Sequence, residues 1–279
     1  MNLNDLNILK LIDLAIEEDI KTGDVTTNLI ISHNETREAA FIVKQKGIIA
    51  GLEVAKMVIK KFDPDATWTL NKKDGDVCLK GDIPAVVKGK YRALLSSERT
   101  ALNFLQRMSG IATKTDRFVK QLEGHNTKIL DTRKTVPGHR VLDKYAVRIG
   151  GGTNHRAGLY DMVLIKDNHI KLAGGIKSAF IMVRKNIHKS MKVEVETSTI
   201  SEVKEALEAG VDIIMFDNMN LDEMKEAAII CKGKVLTEAS GNVSIQNVRK
   251  IAETGVDYIS VGELTHSVEA LDISMKIID

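Results

Sequence analysis

Five basic groups sit in three short segments of the chain: Arg133 and Lys134 in DTRKTVPGHR, His155 and Arg156 in GGGTNHRAG, and Lys166 in VLIKDNH. Converging on one mouth without paired acids, they would repel one another, and a polyanionic ligand is the physical reason to keep them together. Two acids follow, Glu196 in KVEVET and Asp217 in DIIMFDN. Two carboxylates beside a phosphate-sized cationic site suit Mg²⁺ held jointly by protein and substrate phosphates, the bland alternative being that they only neutralise the cations. Period-two alternation sends Glu194 to the same side as Glu196 but deeper, where it reads as an ion-pair partner inside a barrel. Ser240, Gly241 and Asn242, and later Val261 and Gly262, are expected to offer exposed backbone N–H groups to a phosphate next to helix starts. Lys166 also admits a barrel aldolase that forms a Schiff base, and a non-catalytic anion-binding protein is a third reading. Gly150-Gly151-Gly152 is no dinucleotide fingerprint, and no GxxxxGK[ST] string occurs, which argues against Rossmann hydride transfer and P-loop hydrolysis. His33, His125 and His188 lie in polar, loop-like contexts and read as solvent-exposed.

These residues need elements to place them. From Lys128 onward the chain repeats short apolar runs that each end in a polar residue: KILDTRK, DMVLIKDN, KVEVET, DIIMFDN, KVLTEASG and DYISVGE. Each reads as a buried parallel strand whose last residue reaches a rim. Thr199 to Glu202 and Asn220 to Glu223 have capping-box spacing, and Gly210, Gly233 and Gly255 close the helices. The string Gly210-Val211-Asp212-Ile213-Ile214 recurs 45 residues later as Gly255-Val256-Asp257-Tyr258-Ile259. Glu196, Asp217, Ser240 and Gly262 follow at intervals of 21, 23 and 22, so the same point of each βα unit arrives at one rim. Polar residues ending so many successive strands favour a barrel over a doubly wound sheet. A complete eight-unit barrel takes ~250 residues. Fewer remain, so the expectation is an α/β protein: an N-terminal α+β sandwich-like domain over 1–108 and an incomplete α/β barrel of about seven units over 109–279. Within the first part, Leu6 to Glu18 reads as an amphipathic helix on Leu6, Leu9, Ile12 and Ile16, EDIKTGDVTT as a polar turn, AAFIVKQKGIIAG as extended and LEVAKMVIKKF as a helix. A helix from Ser97 to Leu122 follows, with Gly110 marking a possible break.

At 279 residues and 43% hydrophobic, the chain can bury a full core in one large or two ordinary domains, which excludes disordered and fibrous classes. Lys+Arg 40 against Asp+Glu 38 leaves +2, and so small an excess gives no bulk electrostatic case for nucleic acid or an anionic membrane. Cys78 and Cys231 stand far apart, outside any CxxC or Cys/His spacing, so neither a disulfide scaffold nor a zinc site is expected and a cytoplasmic setting fits. The first twenty residues carry acids where a leader has a basic region, and no apolar run reaches ~18 residues, so the chain reads as soluble and not secreted.

SERTALNFLQRMSGIAT, DTRKTVPGHR, KYAVRIGGGTNHRAGLYDMVLIKDNH, VEVET, MFDN, EASGN and SVGELTHS together resemble the quinolinate phosphoribosyltransferase family, over nearly the whole chain. The resemblance implies a type II phosphoribosyltransferase fold and transfer of phosphoribosyl from 5-phosphoribosyl 1-pyrophosphate (PRPP) to quinolinate. Decarboxylation then gives nicotinate mononucleotide, pyrophosphate and CO2, a step of NAD biosynthesis, with Mg²⁺ as cofactor. It implies that Thr132, Arg133, His155, Arg156 and Lys166 hold the two carboxylates of quinolinate, and that Lys134 and Lys166 face the phosphoribosyl donor. Glu196 and Asp217 would lie near the ribose and Mg²⁺, and Lys134, Lys166, Glu196 and Asp217 make up the catalytic set. Ser240, Gly241, Asn242, Gly262 and His266 would take the 5-phosphate, with Val261 and Glu263 of the same segment in the substrate-binding set. It further implies a homodimer in which Arg99 completes the neighbouring site. The competing reading within the fold is a paralogous phosphoribosyltransferase with another acceptor. The set for two carboxylates argues against a monocarboxylate, because unused buried cations are costly.

Overall fold

The computed structural model describes residues 5–278 and divides them into two compact units. Residues 1–4, the start of the stretch read above as lacking a leader, lie outside the described residues. The first unit spans residues up to 116 together with 135–151 and from 267 onward; the second spans 117–134 and 152–266. A cut at 108/109 follows chain order, whereas these units do not: the last strand of the chain pairs with the first, which returns the C-terminus to the first unit.

In the first unit, α1 (Leu6–Ile20) and α2 (Val25–Ile30) precede β1 (Thr36–Val43), β2 (Gly47–Ile48), α3 (Leu52–Phe62), β3 (Thr67–Leu70), β4 (Val77–Cys78), β5 (Ala85–Lys90) and α4 (Tyr91–Gln121), whose residues from 117 on belong to the second unit. The stretch read as a polar turn takes in the last residues of α1 and the first turn of α2, which starts there because Asp24 caps it by accepting the backbone N–H of Thr27 at 2.9 Å. Helix α1 buries Ile12 and half-buries Leu9 and Ile16 as expected, adds Ile8 to that face, and leaves Leu6 69% exposed. Helix α3 covers LEVAKMVIKKF as expected. Helix α4 starts six residues before Ser97 and runs through Gly110 without a break. A Cβ at Gly110 would strike the backbone carbonyl of Glu269, so this glycine serves a close approach of two backbones instead.

The second unit carries β6 (Lys128–Leu130), followed in the chain by α5 (Arg140–Ile149) of the first unit. It resumes with β7 (Val163–Ile165), α6 (Asp167–Ala173), α7 (Ile176–Asn186), β8 (Val193–Thr197), α8 (Ile200–Ala209), β9 (Ile213–Asp217) and α9 (Leu221–Cys231). Then come β10 (Leu236–Ser240), α10 (Val248–Ala252), β11 (Tyr258–Ser260) and α11 (Glu263–His266); β12 (Ile273–Ile278) belongs again to the first unit. The first unit's main sheet is antiparallel in the order β12-β1-β5-β3. The second unit's sheet is parallel in the order β6-β11-β10-β9-β8-β7, with a further parallel bridge from Leu130 to Thr153. Strands β7 to β11 therefore follow one another around the sheet and β11 closes onto β6, while Thr153 and β7 form the two free ends. That is the expected incomplete barrel: six strands and one bridging residue.

The 45-residue repeat has a physical meaning. Asp212 Oδ2 accepts the backbone N–H of Val193 at 2.7 Å, and Asp257 Oδ2 accepts that of Thr237 at 2.8 Å. Each repeated aspartate thus ties an N–H at the start of a neighbouring strand, that of the first residue of β8 and the second of β10, just before its own strand begins. Both capping boxes form, and Gly210 closes α8 in the left-handed region at φ 79°.

Candidate active site

Parallel pairing aligns the strands so that residues opposite one another share a side. Glu196 is opposite Met215, Met215 opposite Glu238, and Asp217 opposite Ser240. Alternation then fixes the inward set: Glu194 and Glu196 on β8, Met215 and Asp217 on β9, Glu238 and Ser240 on β10. At the C-terminal ends of these strands a cavity of about 760 Å³ opens. Thr132, Arg133, Lys134, His155, Arg156, Lys166, Glu196 and Asp217 line it, and so do Ser240, Gly241, Asn242, Gly262, Glu263 and His266. Leu164, Met215, Glu238, Val243 and Ser260 complete the wall, none of them singled out from the sequence. Glu238 was findable: it lies two residues before Ser240, as Glu194 lies two before Glu196.

Two expected residues are elsewhere. Val261 is fully buried and its backbone N–H, expected to be exposed, donates to Leu130 O at 2.9 Å, because strand pairing continues one residue past β11. Arg99 is exposed on α4 in the first unit and does not line the cavity.

The cationic side is electrostatically tense. Arg133 Nε is buried without a hydrogen-bond partner. Burial, and after it the Arg133 guanidinium, lowers the pKa of Arg156, whose Nη1 donates to Met162 O at 3.2 Å. Lys166 Nζ donates to Glu196 Oε1 at 2.7 Å. Asp217 Oδ2 accepts Asn218 Nδ2 at 2.9 Å, and Asn218 Oδ1 accepts Asn242 Nδ2 at 3.2 Å. Asn218 and Asn242 both take positive φ, 56° and 51°, a conformation asparagine tolerates better than most residues. At the opposite rim a Cβ on Gly262 would come within 3.1 Å of Lys134 Cδ and 3.2 Å of His266 Cδ2, so the glycine keeps a pocket open between them.

The floor is acidic. Glu194 and Glu238 are fully buried, and burial holds both carboxyls above the usual carboxylate range, with Glu194 pushing Glu238 higher still. His155 Nε2 lies 2.9 Å from Glu194 Oε2, so Glu194 faces the barrel interior as expected from its place in β8, and its partner there is an imidazole.

The whole arrangement gathers cations and exposed loop backbone around one side of a cavity and two carboxylates on neighbouring strands at another. The family model for the N-terminal domain of quinolinate phosphoribosyl transferase matches residues 24–109, and that for its C-terminal domain matches 111–276. The chain is 45% identical over 275 residues to the probable nicotinate-nucleotide pyrophosphorylase (carboxylating) of Bacillus subtilis (strain 168), covering 99% of this chain and 95% of the relative. NadC from Streptococcus pyogenes superposes with a TM-score of 0.96 at 39% identity over the full length of both chains. The nicotinate-nucleotide pyrophosphorylase from Francisella tularensis gives 0.94 at 40% identity, covering 98% of this chain and 96% of that one. Both domain models matched in order, and relatives this similar over nearly the whole length, make the chain a member of the quinolinate phosphoribosyltransferase family.

Proposed function

We infer that the chain is a carboxylating nicotinate-nucleotide pyrophosphorylase, which joins quinolinate to the phosphoribosyl group of PRPP and releases pyrophosphate and CO2 in NAD biosynthesis. The observation that carries the substrate assignment is the pair Arg133 and Arg156: a buried guanidinium nitrogen without a protein partner beside a second guanidinium that its charge disfavours. A dianion relieves both, and two guanidiniums match two carboxylates in fork geometry. Leu164, Met215 and Val243 give the aromatic ring an apolar wall.

The residues divide the work. Arg133, Arg156 and Thr132 hold the carboxylates, with His155 in the wall beside them; Lys134 and Lys166 face the donor. Ser240, Gly241, Asn242, Gly262 and His266 receive the 5-phosphate end, in the pocket that Gly262 keeps open, with Glu263 in the wall beside them. Holding both anions in one cavity sets the pyridine nitrogen against the ribose C1, where the C–O bond to pyrophosphate breaks as the C–N bond forms. Glu196 and Asp217 offset the positive charge that develops on the sugar. The C2–carboxylate bond then breaks and CO2 leaves; the electron pair stays on C2, stabilised by the adjacent positive ring nitrogen, and takes a proton from solvent to give nicotinate mononucleotide.

Mg²⁺ fits the donor set: Glu196 and Asp217 each have one oxygen engaged, by Lys166 and Asn218, and hard carboxylate oxygens with substrate phosphates are the usual magnesium environment. When bound there it would stabilise charge on the departing pyrophosphate. We place the enzyme in the cytoplasm, a setting supported by two free, buried cysteines; among the described residues no helix is long and apolar enough to cross a membrane. We assign Arg99 to the site of a second protomer, which its exposure outside its own cavity supports.

The test is incubation with quinolinate, PRPP and Mg²⁺ while following CO2 and pyrophosphate together. Equal yields are expected, and nicotinate turning over as well as quinolinate would refute the dicarboxylate assignment. Borohydride trapping of a keto acid on Lys166 would instead establish the aldolase reading.

A further inference from the structure

The cavity floor carries a hydrogen-bond network that the chemistry above does not use. His155 Nδ1 accepts the backbone N–H of Arg156 at 2.8 Å. An imidazole nitrogen that accepts carries no proton, so the ring is neutral with its proton on Nε2. That Nε2–H donates to Glu194 Oε2 at 2.9 Å, and Glu238 Oε2 stands 3.5 Å from the same nitrogen. Behind them Ser260 Oγ donates to Glu238 Oε1 at 2.5 Å. The backbone N–H of His155 donates to Asp131 Oδ1 at 2.9 Å, so backbone and ring are both tied. With Nδ1 accepting and Nε2–H turned to Glu194, the ring keeps no N–H for a ligand.

His155, Glu194 and Glu238 bring one ligand atom each within 4.8 Å of one another, the spacing of a metal site. The tautomer argues against that use. A metal on Nε2 would require the ring proton on Nδ1, directly against the Arg156 N–H.

We propose that Glu194, Glu238 and Ser260 are positioning residues that fix His155 as a neutral Nε2–H strut, and that the strut holds Arg156 against the repulsion of Arg133 so that its guanidinium meets a substrate carboxylate. The proposal rests on the reading that Arg156 binds quinolinate. It changes the role of His155 from a cation touching the substrate to a prop beneath the arginine that does. Glu194 and Glu238 act through it, and the charge of Glu194 also favours that of Arg156 directly. One neutral hydrogen bond removed from such a chain changes binding by about three- to tenfold.

The test combines a readout of the ring with one of the site. Nuclear magnetic resonance of protein carrying ring-nitrogen-labelled histidine, without substrate, should show His155 as a neutral Nε2–H tautomer. An imidazolium or an Nδ1–H tautomer there overturns the network, as does displacement of the His155 signals when Zn²⁺ alone is added. Ser260→Ala and Glu238→Gln should shift the His155 signals and raise KM for quinolinate about three- to tenfold, with smaller changes in kcat and in KM for PRPP. Ser260→Thr, which restores the hydroxyl, should recover both readouts. A rise in KM with unmoved His155 signals, or moved signals with unchanged KM, breaks the chain of action and overturns the proposal. If the tautomer is found but wild-type protein neither binds nor turns over quinolinate, the functional reading fails, and the purpose assigned to the strut fails with it. Thermal unfolding of each variant separates these results from loss of fold.

Discussion

Replacing Gly110 by alanine puts two sequence-level forces in opposition. Alanine in a helix interior is favoured over glycine by about 1 kcal/mol, so a helix that merely tolerates its glycine would gain stability. Here the added Cβ meets the carbonyl of Glu269 and, at 3.0 Å, the Cα of Ala270, both backbone atoms with no side-chain freedom to move aside. Moving that segment away strains the bonds that tie it to α4, Leu271 N–H to Gln106 O at 3.0 Å and Gln106 Nε2 to Ile273 O at 2.5 Å. Overpacking of this kind costs ~1–3 kcal/mol, the upper part of the range applying where backbone must shift. The net expectation is a loss of about 1–2 kcal/mol, which lowers Tm by roughly 2–8 °C for a protein of this size. Scanning calorimetry measures it. A Gly110→Ala protein that melts at or above the wild-type temperature would show that the approach is looser than described and that propensity decides.

Arg133→Ala and Arg156→Ala should each weaken quinolinate binding about ten- to a hundredfold and PRPP binding far less, because a guanidinium to carboxylate bond is worth ~1.5–3 kcal/mol; titration calorimetry with each substrate checks this. Asp217→Asn should lower kcat with little effect on quinolinate affinity, since its charge matters when the sugar becomes cationic; steady-state kinetics showing a change confined to KM would assign it to ground-state binding. Burial pushes the Cys231 thiol up to about 11, so at pH 8 about one molecule in a thousand carries the thiolate. Alkylation followed by mass spectrometry should leave this residue unmodified until denaturant is added. Mixed Arg99→Ala and Lys134→Ala protomers, inactive alone, should recover about a quarter of wild-type activity once exchange is complete, because one site of each mixed dimer carries neither defect.

What the sequence discloses depends on whether a residue's partner is near in the chain. The capping boxes at Thr199 and Asn220, the glycine closing α8 and the spacing of Glu196, Asp217 and Ser240 are local or periodic signals, and the structure places each of these residues where its spacing puts it. Gly110 reads as a break because its partner, Glu269, lies 159 residues on, and a close approach between distant backbones leaves no local trace. Val261 fails for the same reason: a glycine next to it looks like a loop, yet its N–H is taken by Leu130 on the adjacent strand β6, 131 residues earlier in the chain. His155 shows the limit within the site itself. Residue type marks it as a cation for an anionic ligand, while its charge and direction are set by Arg156 beside it and by Glu194 and Glu238, two strand-interior acids from different βα units. Periodicity could have located both acids, since each stands two residues before a rim residue. That they meet on one imidazole follows only from the order of strands around the barrel, which brings β8 and β10 to either side of β9. The parallel strand order thus brings two alternating glutamates, neither notable within its own strand, against one imidazole.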